Sequence, residues 1–251
     1  MSMNPTATQA EWATIHAEDE SWRKKLVGDI SDAYIIPRYV RYFYDNFGGE
    51  VGKDFCEIGA GNGDMSKAIL AANRGTIRRW VASEVFPEGV AWLRKQGLDA
   101  VQADAEALPW ADAEFDVAVE FDVMHHVQHP RNMAREMMRV ARGRCLLVES
   151  NGLSVFRKLR ELTPGHRAAG ERSFTPWTWR SFFEGHPGYE LTSFKVAPFL
   201  FPFKCPRWFL PLLIRFNDLI EHVPLVNWQC SSVMIRVRYR RVGPARERSA
   251  R

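Results

Sequence analysis

The chain has 251 residues, 46% of them hydrophobic and 25% charged, and a formal net charge of +4. That length predicts one domain with an elaboration, and the composition excludes a disordered chain. A mild positive charge, carried largely by arginine, does not require nucleic acid as a partner, and the four cysteines (Cys56, Cys145, Cys205, Cys230) show no metal spacing.

The first eight residues read as a tail, with no signal-peptide pattern, and scattered reduced thiols fit a cytoplasmic protein. Residues 10–27 carry Trp12, Ile15, Trp22 and Leu26 at imperfect helical spacing. Ser31 and Asp32 are placed to cap a second helix that holds Tyr34, Ile35, Tyr39, Val40, Tyr42, Phe43 and Phe47. Pro37 lies near its start, where proline is tolerated. Packing on a sheet edge accounts for most of these aromatics; Tyr34 and its neighbours are also candidates for a cover over a binding site. Residues 1–50 are thus expected to form an N-terminal helical cover.

Residues 55–58 form a short apolar run that predicts a buried strand. Gly59, Gly61 and Gly63 follow, and a helical pattern then begins with Met65, Ala68, Ile69 and Leu70. Strand, glycine turn and helix let backbone approach a ligand closely. A dinucleotide fingerprint wants a further glycine where Asp64 stands, and an acid at a helix start is a poor neighbour for a pyrophosphate. The Gly-Lys-Ser/Thr of a phosphate-binding loop is absent. Glu57, at the strand's end, suits a cationic ligand with amine donors. The run Glu57-Ile58-Gly59-Ala60-Gly61-Asn62-Gly63 resembles motif I of the class I S-adenosylmethionine-dependent methyltransferases.

Residues 78–84 predict a second strand ending in Glu84, about 20 residues past the last glycine, where an acid accepts ribose hydroxyls in nucleotide-type sites. A helix is expected from Pro87 to Lys95, and residues 99–104 read as a third strand with Asp104 at its end. Leu108-Pro109-Trp110 and Glu114-Phe115-Asp116 lead into a fourth strand at 117–121, again similar to the methyltransferase pattern. A helix at 131–141 and a fifth strand at 145–149 follow. Strands alternating with helices predict a parallel sheet covered on both faces, with ligands at the strands' C-terminal ends.

Residues 154–172 are basic and include Arg167. Thr175 and Pro176 open a helix to Phe183, a sixth strand is expected at 190–196, a helix at 211–222, and a last strand at 233–240. Residues 199–213 are strongly apolar: a hydrophobic lid, an oligomer face or a membrane-touching patch, with packing on the domain as the default. Prolines break this region, so it is no ordinary spanning helix.

The resemblance implies an α/β, Rossmann-like doubly wound seven-stranded sheet with an antiparallel last strand. It implies residues 51–150 as the S-adenosylmethionine-binding core, 151–242 as a lid or substrate segment with the last strands, and 243–251 as a tail. Cofactor contacts are expected from Glu57, Gly59, Ala60, Gly61 and Gly63, from Glu84 and Val85, from Asp104 and Ala105 at the adenine, and from Glu120 and Phe121. The run from Asp122 to Val127 resembles the matching stretch of the phosphoethanolamine methyltransferases, whose catalytic histidine falls on His126. His125 is the second candidate base, and Asp122 could orient either imidazole. Tyr34, His125 and Arg167 are the expected acceptor contacts. No divalent metal is expected. Glu120-Phe121-Asp122-Val123 stands where nucleic-acid and protein amino methyltransferases carry Asn/Asp-Pro-Pro-aromatic. The expected reaction is methyl transfer to an oxygen or nitrogen of a small molecule, read as a specialised bacterial metabolite. The oligomeric state stays open. A lipid or quinone acceptor at a membrane surface, and a cofactor-binding module without chemistry, are the alternatives.

Overall fold

The computed structural model describes residues 31–47, 50–162, 172–200 and 207–242. The helical stripe at 10–27, Arg167, Cys205 and the middle of the apolar run at 201–206 lie outside the described residues. Seven strands form one sheet: β1 (Lys53–Ile58), β2 (Ile77–Glu84), β3 (Ala100–Gln102), β4 (Val117–Phe121), β5 (Arg144–Ser150), β6 (Tyr189–Phe199) and β7 (Ser232–Arg241). Their order is β3-β2-β1-β4-β5-β7-β6. The first five strands pair in parallel, and β7 is antiparallel to both β5 and β6. The chain builds outward from β1 to β3 and then starts again on the other side of β1 with β4. Loops leaving β1 and β4 therefore diverge, which opens a crevice at their C-terminal ends.

The described α-helices are α1 (Ile36–Asp45), α2 (Asp64–Ala71), α3 (Pro87–Lys95), α4 (Pro130–Val140), α5 (Val155–Glu161), α6 (Pro176–Phe183) and α7 (Leu210–His222). The pleat of β1 divides the core between two faces. Cys56 and Ile58 join a cluster with Met133 and Met137 of α4 and Trp179 and Phe183 of α6. Phe55, between them in sequence, joins Tyr39 and Phe43 of α1, Ile69 of α2 and Leu213 of α7. The Phe55 and Trp80 rings stack at 5.5 Å, and Phe43 lies 5.4 Å from Phe55. Most of the aromatic excess near the N-terminus is thus core packing. In β7, Val233, Ile235, Val237 and Tyr239 share the first cluster, as their alternation predicts, while Met234 joins the second. Cys56, Cys145 and Cys230 are free and buried, and burial pushes all three thiols up, so they stay protonated.

Two helical stretches go beyond the sequence expectation. A single π-helical turn, Ser31–Ile35, precedes α1, and α5 follows directly on β5 and its turn. Helix α5 has seven residues and four charges, too few apolar positions to show a stripe. Its start is held by Ser154, whose Oγ accepts from the Arg157 amide (3.3 Å) and donates to the Gln229 carbonyl (2.8 Å).

Helix α1 is fastened to α7 by buried charge. Arg38 Nε donates to Glu221 Oε1 at 2.8 Å, and its Nη2 donates to Asp218 at 2.5 Å. Glu221 also accepts from the Leu200 amide (2.9 Å), from Asn217 Nδ2 (2.5 Å) and from the Tyr42 hydroxyl. Burial alone would raise the Glu221 carboxyl, but the hydrogen bonds from Arg38, Leu200 and Tyr42 outweigh it and hold the acid below its ordinary value. The first helix is thereby seated beside the end of β6 and the rim of the sheet.

Candidate active site

The turn after β1 has the backbone of a cradle. Gly59, Gly61 and Gly63 have φ of +67°, +53° and +77°, a region that L side chains rarely adopt. A Cβ on Gly59 would lie 2.7 Å from Val123 Cγ1, so this glycine also lets the β1 and β4 loops touch. A Cβ on Gly61 would meet nothing within 4 Å: it would project into open space above the turn. Gly63 packs against Leu93 and Leu98, where a Cβ would be 2.7–2.8 Å from their methyl groups.

Glu84 closes the neighbouring loop. Its Oε2 accepts from the Gly61 amide at 3.0 Å and its Oε1 from the Val85 amide at 2.8 Å. The carboxylate is buried at the end of β2 beside the glycine turn, with lone pairs left for a diol. Asp104 is exposed just past β3, its Oδ1 accepting from the Glu106 amide (2.8 Å), and Ala105 follows half-buried in the same turn. Glu57 holds its place at the end of β1, but its Oε2 is committed inward, to Trp80 Nε1 at 3.0 Å and to the Ser66 hydroxyl. These residues fit the cofactor that the resemblance implies: a glycine cradle with room above it, and acids at the ends of three neighbouring strands.

Burial pushes the Glu57 carboxyl from 4.5 up to about 7, against the two hydrogen bonds that favour its anion. Between those pH values the unfolded chain has ionised this group and the folded chain has not. Stability is therefore full below about pH 4.5 and falls as pH rises to about 7, by on the order of 3 kcal/mol. Glu57→Gln, which keeps an acceptor for Ser66 and Trp80, is expected to lack this slope. Urea midpoints of the two proteins across pH 4–8 check it; a difference that does not vary with pH contradicts it.

The far side of the crevice is made by the ends of β4 and β5. Glu120 is fully buried; its Oε2 accepts from the Val123 amide at 2.8 Å and its Oε1 has no hydrogen-bond partner. Burial, and then the negative charge of Glu149, push its acid well above the ordinary range. Phe121 is half-buried beside Tyr39, at 6.4 Å between rings. Asp122 has φ +59° and turns its carboxylate toward α1, where the Tyr39 hydroxyl donates to Oδ2 at 3.3 Å.

His125 is 2% exposed, and its Nδ1 lies 2.7 Å from Glu149 Oε2. The other Glu149 oxygen accepts from the His125 amide at 3.3 Å, and the His125 carbonyl accepts from Arg172 at 3.4 Å. His126 is exposed; its amide donates to the Val123 carbonyl (2.9 Å), and its ring lies 4.0 Å from that of His125. The His125 ring meets Glu149, and Asp122, His125 and Glu149 form one group whose nitrogen and oxygen atoms lie within 4.8 Å of one another. Tyr34 is buried with its ring under Arg38 (5.2 Å), and the α1 aromatic that reaches the rim is Tyr39. Sequence reading passed over Tyr39 as one aromatic among many. It passed over Glu149 as a strand end, although an acid at the end of β5 stands where Glu57 and Glu84 stand on β1 and β2.

A parallel sheet with a reversal beside β1, a glycine cradle at that reversal and acids around its rim make the arrangement in which open α/β sheets hold ligands at their strand ends. Residues 56–148 match the family model described as a methyltransferase domain, the class that the glycine turn resembles. A ubiquinone/menaquinone biosynthesis C-methyltransferase of Pseudomonas fluorescens is 26% identical over 137 residues, which cover 49% of this chain and 52% of the relative. An uncharacterized methyltransferase of Mycobacterium tuberculosis is 32% identical over 101 residues, 40% of this chain and 39% of the relative. The chain therefore spans about half, or less, of the length of these curated relatives. Among solved structures, an S-adenosylmethionine-dependent methyltransferase of Thermotoga maritima shares the fold with a TM-score of 0.57 at 18% identity, over 84% of this chain and 95% of that one.

Proposed function

We propose that this protein transfers a methyl group from S-adenosylmethionine to a small-molecule acceptor. The observation that carries the reading is the open cradle over Gly61 with Glu84 bound to the same turn. S-adenosylmethionine supplies a methyl group on a cationic sulfur, which departs with the C–S electron pair as a neutral thioether. The chain's own residues have the smaller tasks of holding and aligning. Gly59, Ala60, Gly61 and Gly63 would offer backbone to the amino-acid end, with Glu57 beneath them. Glu84 and Val85 would take the ribose, Asp104 and Ala105 the adenine, and Glu120 and Phe121 would wall the methyl position. His125 and His126 stand beside that position as candidate proton acceptors. Calorimetry with S-adenosylmethionine, followed by an acceptor screen read as a mass gain of one methyl, tests the proposal; no binding of the donor would end it.

A second reading places the acceptor at a membrane surface as a quinone or lipid. Two observations favour it: the named activity of the Pseudomonas relative, and exposed apolar side chains on α7 and the turns that flank it, with Trp208 79%, Leu212 56%, Leu219 63% and Leu225 83% exposed. No described helix is long and apolar enough to cross a membrane, so contact would be peripheral. Flotation with phosphatidylglycerol vesicles is then expected to carry the protein, and Trp208→Asp to reduce the bound fraction severalfold. Equal flotation of the two proteins, or none, excludes this reading.

A further inference from the structure

We propose that the outer edge of β6 pairs with the β6 edge of a second copy of this chain, so that two sheets join as one. The proposal does not rest on the methyltransferase reading. Strand β6 is last in the sheet order and has 11 residues, Tyr189–Phe199, which is longer than most strands. Among the described residues only β7 pairs with it. Alternate residues of an edge strand turn their N–H and C=O groups away from the neighbouring strand. Outside the β7 ladder, no described hydrogen bond reaches the backbone of residues 190–198. Such an edge is a template for another strand.

The charges along the strand point to the occupant. Lys195 is exposed and stands directly opposite Arg236 of β7, a like-charge pair that costs stability. Neither side chain meets an acid among the described ion pairs. Glu190 is exposed too, and meets Arg240 across β7 at 2.5 Å. A two-fold axis between Thr192 and Ser193 sets β6 antiparallel to its copy. Lys195 then faces the partner's Glu190, and Glu190 faces the partner's Lys195. Leu191 faces the partner's Phe194, and Tyr189 the partner's Val196. Tyr189, Leu191, Phe194 and Val196 all pack toward the first core cluster, so like faces of the two sheets meet. Regular alternation would put Leu191 and Phe194 on opposite faces. The register shift between Leu191 and Ser193, which passes over Thr192, brings them to the same one. The contact is isologous, the same patch serving on both copies. Strand β6 runs in the direction of β5, because each is antiparallel to β7. The two-fold axis reverses that direction in the partner. The two crevices therefore open at opposite edges of the joined sheet, and each stays complete within its own chain.

Sedimentation equilibrium of the full chain at about 100 µM, a concentration that populates contacts of small area, reads the mass. The expected result is a species of twice 28.9 kDa in exchange with the monomer, and a chain that stays monomeric overturns the proposal. Lys195→Glu sets acid against acid at both symmetry-related places and is expected to weaken the dimer about tenfold or more. Within its own chain the same change turns the like-charge contact with Arg236 into an opposite-charge one, so the fold is expected to hold, which circular dichroism checks. An unchanged dimer in the folded variant overturns the register. The double variant Glu190→Lys, Lys195→Glu rebuilds the pair with its charges exchanged. Recovery of the dimer supports the proposal, and continued dissociation of the folded double variant overturns it. Should either variant not fold, amide hydrogen exchange of the wild-type protein at low and high concentration decides. Slower exchange at high concentration in residues 189–196 supports the β6 edge, and protection confined to other residues overturns it.

Discussion

Arg38→Met is expected to destabilise the protein by about 3–5 kcal/mol. Arg38 is 5% exposed and the Glu221 side chain 2%, so removing the guanidinium leaves a carboxylate stranded away from water. Its remaining hydrogen-bond donors, the Leu200 amide, Asn217 and Tyr42, are uncharged, and the Arg41 guanidinium, 3.7 Å away and 48% exposed, offsets the charge only weakly because solvent screens it. The Asp218 branch adds little, because that side chain is 45% exposed and solvent screens the pair. The midpoint of thermal unfolding should fall by roughly 10 °C for a chain of this size. The double variant Arg38→Met, Glu221→Leu should recover most of the loss, since an ion pair replaced by apolar side chains of similar volume is often near neutral. Urea unfolding of the three proteins checks both statements. A loss below about 1 kcal/mol in the single variant would mean that water reaches Glu221 and that α1 is not fastened to α7 by this charge.

Glu84→Ala is expected to weaken S-adenosylmethionine binding by about 1–3 kcal/mol, or roughly 5- to 150-fold. Two effects add. The ribose hydroxyls lose a charged acceptor, and the Gly61 amide loses the oxygen that holds it at 3.0 Å, so the cradle loosens. Glu84→Gln keeps one acceptor oxygen and should fall between wild type and alanine. Calorimetry on folded samples reads all three affinities. Equal affinity of wild type and Glu84→Ala would remove Glu84 from the ribose and with it the register of the whole rim.

The elements that were legible are those whose evidence is local. Strand β4 has the predicted bounds, Val117–Phe121, and β1, β2 and β5 differ from prediction by a residue or two at their ends. Each carries a short run buried on both faces, Trp80–Glu84 in β2, and such a run reads as a strand between turn residues. Strand β7 alternated in sequence because its outer positions, Arg236 and Arg238, are exposed. Helix α6 was announced by Thr175 and Pro176, and Thr175 does cap it, accepting from the Thr178 amide at 3.3 Å. The glycine turn was legible because positive φ strongly favours glycine, and three glycines at alternate positions mark such a turn.

Pairings were not legible. His125 and Glu149 are 24 residues apart, Tyr39 and Asp122 are 83 apart, and Arg38 and Glu221 are 183 apart. Nothing in the spacing of such residues reports the contact; it exists only once β4 has been laid beside β5 and α1 beside α7. The sequence by itself determined the strand-and-helix alternation, the glycine cradle and the acids at the strand ends, because each depends on a few adjacent residues and a backbone preference. That Glu149 meets His125, and that Tyr39 of α1 reaches Asp122, were decided only by tertiary structure, because a buried polar group finds its partner through the packing of whole elements.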